Sequence, residues 1–295
     1  MRILIYGAGV MGSLYAALLG EAGFDVTVYA RGNRLIQLQR NGLKYIHSNQ
    51  VKTAKVKIID KLVSDDKYHY IFLTVRQEQV KAALMELRGN KSPNIVTMVN
   101  SIEPYTEWEK ICGKGRILPA FPGAGGSIVD GVLDASLTPW IIQPTTFGEI
   151  NRNKTKREIT LAHIFKKSHI SYQIVPDMHN WQVSHLGMVV AIADAYYKSD
   201  EPAMVYKNKK MMGITARSIK QNFKLLSTRG MLSPFKFNLL IICPTWLLSL
   251  VLSYLYKSDF GNKFMYQHSM KSPQEMRDLH YQFYAYRKEL SGDKR

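Results

Sequence analysis

Cysteine is close to absent. The chain holds two, Cys112 and Cys243, which exclude a disulfide framework and lie too far apart in sequence to make a metal-binding pair. No metal site is expected, and the scarcity of thiols suits a reducing cytoplasm, which is the expected location. No secretory signal is expected, because Met1 and Arg2 lead into a short apolar run that Gly7 ends, too short for a signal's hydrophobic region. Internal repeats and low-complexity tracts are absent. Acidic residues are in deficit, with 23 Asp and Glu against 40 Lys and Arg and a formal charge of +17. Such a surface attracts nucleotides, phosphates, acidic metabolites, nucleic acid or anionic lipid. The basic residues are scattered, with local clusters at 151–157 and 206–210, and no basic stripe is interleaved with aromatics. A specific nucleic-acid partner is therefore not expected.

What is present is the material of two domains. Hydrophobic residues make up 46% and charged residues 21% of 295 positions, a globular mix long enough for two cores. The first half alternates strand and helix: an apolar strand at 2–6, a helix at 10–22, a strand at 25–30 and a short helix at 34–40. A hairpin-like stretch at 43–59 follows. Then come a buried strand at 70–75, a helix at 77–87 and a strand at 94–99. Strands separated by helices predict right-handed crossovers and a mostly parallel, doubly wound α/β sheet. Between 119 and 148 the chain turns to glycine-rich and short β-like pieces. After Pro176 the pattern is almost wholly helical, with Met178, Trp181, His185, Val189 and Ile192 on one face. These patterns divide the chain into 1–175, a Rossmann-type nucleotide domain, and 176–295, an all-helical domain for substrate or subunit contacts. The tail at 291–295 is expected to fray.

One segment, 238–256, carries no charge and is 19 residues long, near the minimum for a membrane span. Pro244 interrupts it, so it reads as two short buried helices meeting at Cys243 and Pro244, with membrane contact the lesser alternative.

The sharpest motif is Gly7-Ala8-Gly9-Val10-Met11-Gly12, following one predicted strand and opening a predicted helix. That is the context of the dinucleotide fingerprint. Gly7 makes the tight turn, Gly9 admits the pyrophosphate to the backbone, and Gly12 lets helix and strand pack closely. The helix N-terminus then offers N–H groups and a positive dipole end to the phosphates. About 20 residues further on, NAD binders place a carboxylate for the ribose hydroxyls. Here Tyr29-Ala30-Arg31-Gly32-Asn33-Arg34 contains none, and Arg31 with Arg34 can pair with a 2′-phosphate. NADPH is the expected cofactor.

With these residues in place, the chain resembles the ketopantoate reductase family. The likeness is carried by the N-terminal GAGxxG, the Arg31-Gly32 pair, Leu73-Thr74-Val75-Arg76, Asn100, the FPGAGG segment at 121–126, Thr145-Thr146-Phe147-Gly148-Glu149 and a helix bearing Trp181. The resemblance implies a Rossmann domain followed by a helical domain, with the active site in the cleft between them. It also implies that Arg76 lies near the nicotinamide-side phosphate or ribose, and that Asn100 contacts cofactor and substrate. Gly126 is a candidate for close approach to the cofactor, and Glu149 for the cleft. Glu275 is available for a later family carboxylate, though its surroundings match poorly.

The chain also departs from the family. Arg76 stands where a lysine is usual, and Ser101 follows Asn100 where a glycine is usual. Val183 stands two residues after Trp181, where the family's proton-donating lysine belongs. Hydride attack on a ketone makes an alkoxide that needs a proton within hydrogen-bond reach, and valine cannot donate. Histidine has a suitable intrinsic pKa, yet two residues along a helix from the lysine position His185 points about 200° away. The expectation is an NADPH-dependent oxidoreductase acting on a small carbonyl or 2-oxo acid other than ketopantoate. The alternatives are a catalytically silent NADPH-binding sensor and a ketopantoate reductase using His185 or an ordered water. A homodimer is admitted but not required.

Overall fold

The computed structural model describes residues 1–271 and 273–292. The described residues divide into two compact units, Met1–Met178 and the remainder from His179 onward.

The first unit is built on an eight-stranded sheet. Its strands are β1 (Arg2–Tyr6), β2 (Asp25–Tyr29), β5 (Lys57–Ile59), β6 (Tyr70–Leu73), β7 (Ile95–Met98), β8 (Ile117–Phe121), β11 (Thr145–Phe147) and β12 (Tyr172–Ile174). They lie in the order β12-β11-β8-β7-β6-β1-β2-β5. Every pairing is parallel except that of β11 with β8. Reversal of strand order between β1 and β6 is the doubly wound arrangement, and it opens a crevice at the carboxyl ends of those two strands. The sequence explains the centre. In β6, Tyr70-Ile71-Phe72-Leu73 is a continuous apolar run with every residue buried, as a strand covered on both faces requires.

The crossovers are α1 (Val10–Glu21), α2 (Gly32–Asn41), α3 (Val80–Leu87), α4 (Tyr105–Cys112) and α5 (Lys156–Lys167). A short 3₁₀ turn at Gln77–Gln79 leads into α3. The hairpin-like stretch resolves into β3 (Lys44–His47) paired antiparallel with β4 (Gln50–Thr53). With β9 (Ala124–Val129) and β10 (Val132–Leu137) these form a second, four-stranded sheet, β4-β3-β10-β9. The glycine-rich pieces read at 119–148 thus supply one strand to the large sheet and two to the small one.

The second unit is helical, as expected. It contains α6 (Met178–Tyr197), α7 (Lys209–Thr228), α8 (Asn238–Ile242), α9 (Thr245–Lys257), α10 (Gln267–Lys271) and α11 (Pro273–Ser291). The fraying expected of the tail falls, for 293–295, outside the described residues.

One expectation needs correction. The charge-free stretch does form two short helices broken at Cys243 and Pro244, bent by 114°. They are not buried: no residue of α8 is buried, and Trp246, Leu250 and Tyr254 of α9 are exposed. Leu248, Leu252 and Tyr256, four residues apart, form the inward face of α9 and leave an equally apolar face outward. A helix apolar all round carries no periodic signal to show which side is covered. No single described helix is long and apolar enough to cross a membrane, although α8 and α9 together with the turn before them pass that test of length and composition.

Candidate functional site

The site begins where β1 ends. Gly7 has φ +112, a conformation that side chains strain to adopt, and a Cβ there would lie 2.9 Å from the Thr74 carbonyl oxygen. At Gly12 a Cβ would run into the Gly7 carbonyl oxygen and come within 2.5 Å of Thr74 Oγ1. These two glycines are demanded by the protein's own packing. Gly9 is different, because a Cβ on it would meet nothing within 4 Å. The bare backbone at Gly9 faces open space beside the cavity.

Gly9 is also the N-cap of α1, with Val10 and Met11 opening the first turn. That turn carries no acidic residue and Gly9 offers no side-chain cap. A helix start of this kind presents N–H donors and a positive dipole end. Thr74 locks the loop from β6, donating from Oγ1 to the carbonyl of Gly7 at 2.8 Å. Arg34 holds the other side, donating from Nε to the Ala8 carbonyl at 3.0 Å and from Nη2 to Ser13 Oγ at 3.1 Å. Half-burial pulls the Arg34 guanidinium below its ordinary pKa by desolvation.

A cavity of about 580 Å³ opens on this loop, lined among others by Gly7, Ala8, Gly9, Arg31, Arg34 and Gln79. Tyr6 and Tyr29 form its floor at the strand ends. The parallel register sets Tyr6 beside Tyr29, with ring centroids 4.7 Å apart. Arg31 lies over both rings, 5.0 Å from the Tyr29 centroid and 5.8 Å from that of Tyr6. Its Nε donates to Tyr29 Oη at 2.7 Å and its Nη2 to Tyr6 Oη at 2.6 Å. Arg31 also pairs directly with Glu86 of α3. Both phenols donate to the same carboxylate, Tyr6 at 2.5 Å and Tyr29 at 2.6 Å. Burial and the bond to Glu86 push both phenols above their ordinary pKa.

The sequence pointed to Arg31 and missed Glu86, Tyr6 and Tyr29. The tyrosines carried a signal: each stands at the end of an apolar strand, and parallel neighbours aligned at their ends bring such residues together. Glu86 carried none, since nothing local ties a helix residue to an arginine 55 positions earlier.

The remaining candidates lie elsewhere. Val75 lines the cavity, but its neighbour Arg76 does not. Arg76 is exposed at the start of the 3₁₀ turn, where its backbone N–H donates to Gln79 Oε1 at 3.3 Å. Asn100 follows β7, with Oδ1 buried and without a hydrogen-bond partner among the described residues. Gly126 pairs with Ala135 in the β9–β10 ladder, and a Cβ there would strike the Asp134 carbonyl. It is outside the cavity lining, to which β9 contributes Ile128.

Glu149, the cleft candidate, is buried and ion-paired. It is 4% exposed and takes both arms of Arg157, at 2.7 and 2.5 Å, together with the Thr155 hydroxyl. Arg157 continues to the Ile117 carbonyl at 3.0 Å, so the pair ties the start of α5 to β8.

Within the helical unit, Val183 on α6 is fully buried. His185 is 6% exposed, and its ring stacks on Trp181 at 5.2 Å and 6°. The spacing of four residues puts the two rings on one helix face.

Comparison with known proteins gives the family and the fold. The family model for ketopantoate reductase PanE/ApbA matches residues 3–150. A curated 2-dehydropantoate 2-reductase from Mesorhizobium japonicum is 33% identical over 106 residues, covering 35% of this chain. That match spans about a third of the relative's length, 32%. Among solved structures, D-mandelate dehydrogenase with NADH and anilino(oxo)acetate aligns over 99% of both chains at 16% identity and TM-score 0.64. The 2-dehydropantoate 2-reductase of Porphyromonas gingivalis W83 aligns over 92% of this chain and 98% of its own, at 15% identity and TM-score 0.64. At such identities these structures show the shared α/β fold. The family match spans the glycine loop, the strand ends around it and Asn100, and the chain belongs to the ketopantoate reductase PanE/ApbA family.

Proposed function

We propose that this chain is an NADPH-dependent oxidoreductase that reduces a small carbonyl compound or 2-oxo acid other than ketopantoate. The observation that carries the reading is the open space at Gly9. Of the three fingerprint glycines it alone is not required by the protein's own atoms, and it faces a cavity bordered by two arginines. When bound, NADPH supplies a hydride. The chain's part is to hold the pyrophosphate on the Gly9–Met11 backbone and the 2′-phosphate on Arg31 and Arg34. Asn100 presents an unpartnered buried amide oxygen, suited to accept a hydrogen bond from cofactor or substrate, while its Nδ2 can donate to a carbonyl oxygen.

The substrate follows from the proton. Where the family resemblance places a lysine, this chain has Val183, so the alkoxide formed from the substrate takes its proton from another group or from water. A substrate chosen for a lysine donor is then the wrong one. The relatives' printed names, a 2-dehydropantoate reductase and a D-mandelate dehydrogenase with an oxoacetate compound, support a 2-oxo acid class.

The test is NADPH oxidation followed by absorbance, with ketopantoate and a panel of other 2-oxo acids side by side. Turnover of another oxo acid with silence on ketopantoate is expected. Ketopantoate turnover at ordinary enzymatic rates would overturn the substrate reading. A second reading, a silent NADPH-binding sensor, draws on the burial of both Val183 and His185. It predicts tight NADPH binding with silence across the whole panel.

A further inference from the structure

We propose that the bent pair α8–α9 docks this protein on the surface of an anionic phospholipid bilayer, lying in the interface without crossing it. The outer face of the pair is apolar and uncovered. Ile242 is 76% exposed, Trp246 67% and Tyr254 78%, and Phe235 just before α8 is 86% exposed. Trp246, Leu250 and Tyr254 follow at intervals of four, so they form one stripe along the outside of α9. Single exposed apolar residues are ordinary, whereas a contiguous set of this kind marks an interaction surface. Trp and Tyr at the two ends of the stripe are the residues that favour the level of lipid headgroups.

Charge identifies the occupant. From 202 to 258 there is no aspartate or glutamate, but there are nine lysines and arginines. Three of these lysines frame the apolar face itself. Lys236 precedes α8 and Lys257 ends α9, both exposed, and Lys220 of α7 donates to the Cys243 carbonyl at the elbow. That bond also satisfies the acceptor that the helix break would otherwise present to an apolar layer. α7 packs against both helices and carries the exposed Arg217 and Lys224. An apolar face with basic residues around it is the composition of an interfacial helix bound to anionic lipid.

A second copy of the chain fits worse. A two-fold contact sets the same patch against itself, which would bring two predominantly basic surfaces together with like charges facing. Spanning is also disfavoured. The 13 residues of α9 reach roughly 20 Å, short of a hydrocarbon core of about 30 Å, and the 114° bend prevents the pair from acting as one rod.

The experiment is flotation of the full chain with vesicles of phosphatidylcholine alone and of phosphatidylcholine with phosphatidylglycerol. The emission of Trp246 is read in a Trp140→Phe background, where Trp108 and Trp181 are buried and Trp246 is the one exposed tryptophan. Flotation with the anionic vesicles only, a blue shift of Trp246, and release by salt are expected. Lys236→Glu with Lys257→Glu, which leaves the apolar face intact, should weaken partition about tenfold or more. Trp246→Ser with Leu250→Ser and Tyr254→Ser changes exposed positions only and should abolish it, with unchanged helix content and melting by circular dichroism as the check of folding. Absence of flotation with either vesicle, or equal flotation with both, would overturn the proposal. So would a lipid-free dimer in sedimentation that the triple variant dissociates, since the face would then be covered by a second copy.

Discussion

Glu86 of α3 is ion-paired with Arg31 at the end of β2, so the arginine expected to meet a 2′-phosphate already has an anion. The carboxylate is held from below by the two phenols, at 2.5 and 2.6 Å. A phosphate dianion arriving at Arg31 must compete with it. Both partners are partly exposed, the side chains at 61% and 32%, so water screens the pair and its worth is small. Glu86→Gln should therefore tighten NADPH by about two- to fivefold with little effect on NADH. Titration of both nucleotides by fluorescence checks this. Tightening of NADH to the same degree would mean that Glu86 repels the nucleotide as a whole and does not govern the choice between the two. Arg31→Ala should weaken NADPH and leave NADH near its starting value.

The glycine loop separates binding from folding. Gly9→Ala places a methyl group in open space, so the fold and its Tm should be nearly unchanged. In the proposed binding mode the same methyl group meets the pyrophosphate, and nucleotide affinity should fall by roughly tenfold or more. Gly12→Ala meets the Gly7 carbonyl and Thr74, and overpacking of this kind costs about 1–3 kcal/mol. Thermal melts and nucleotide titrations on the same two variants decide the matter. A Gly9→Ala protein that melts normally and binds normally would remove the observation on which the cofactor site rests.

These contrasts show which parts of the molecule were readable from sequence. The central strands were, because a parallel sheet covered on both faces leaves unbroken apolar runs such as Tyr70 to Leu73. The fingerprint was readable because backbone geometry at Gly7 and Gly12 admits no side chain. The helices α4 and α5 went unread: α4 is eight residues long, and α5 starts among the basic residues at 151–157, which read as a charge cluster. The Arg31–Glu86 pair was invisible because it depends on where α3, the crossover from β6 to β7, brings Glu86 relative to the end of β2. Glu149 was a cleft candidate because it follows Gly148 at the end of a predicted strand. Its partner Arg157 sits eight residues away, across a loop whose path no periodicity predicts. The outward face of α9 was misread for the opposite reason, since a helix apolar on every side is ordinarily buried.

His185 is packed as a core ring. Its stack on Trp181 should be kept by phenylalanine and lost with alanine. His185→Phe is expected to keep full turnover per folded molecule on the oxo acid that is reduced. His185→Ala should lose about 1–3 kcal/mol, with turnover per folded molecule unchanged. A fall in kcat for His185→Phe, with loss of the basic limb of the pH profile, would instead identify the imidazole as the proton donor. Val183→Lys bears on the same point. Because Val183 is fully buried, an ammonium there pays for desolvation, and the variant should be destabilised by about 2–4 kcal/mol without gaining ketopantoate reduction.

The Glu149–Arg157 pair tests whether a buried carboxylate near the sheet's end serves structure alone. Glu149 is almost fully buried and Arg157 is 19% exposed at its side chain. Replacing one member leaves the other charge without its counter-ion, which in buried pairs costs about 3–5 kcal/mol. Glu149→Gln keeps the shape and can still accept from the Thr155 hydroxyl, so a loss at the lower end, about 3 kcal/mol, is expected in urea unfolding. Nucleotide affinity should not change, because neither residue lines the cavity. The double variant Glu149→Gln with Arg157→Met should recover part of the loss, since no charge is then left buried. Stability falling by the sum of two independent losses would show that each side chain acts through its other bonds, Thr155 for Glu149 and the Ile117 carbonyl for Arg157. A lowered kcat in Glu149→Gln at unchanged stability would return Glu149 to the catalytic machinery.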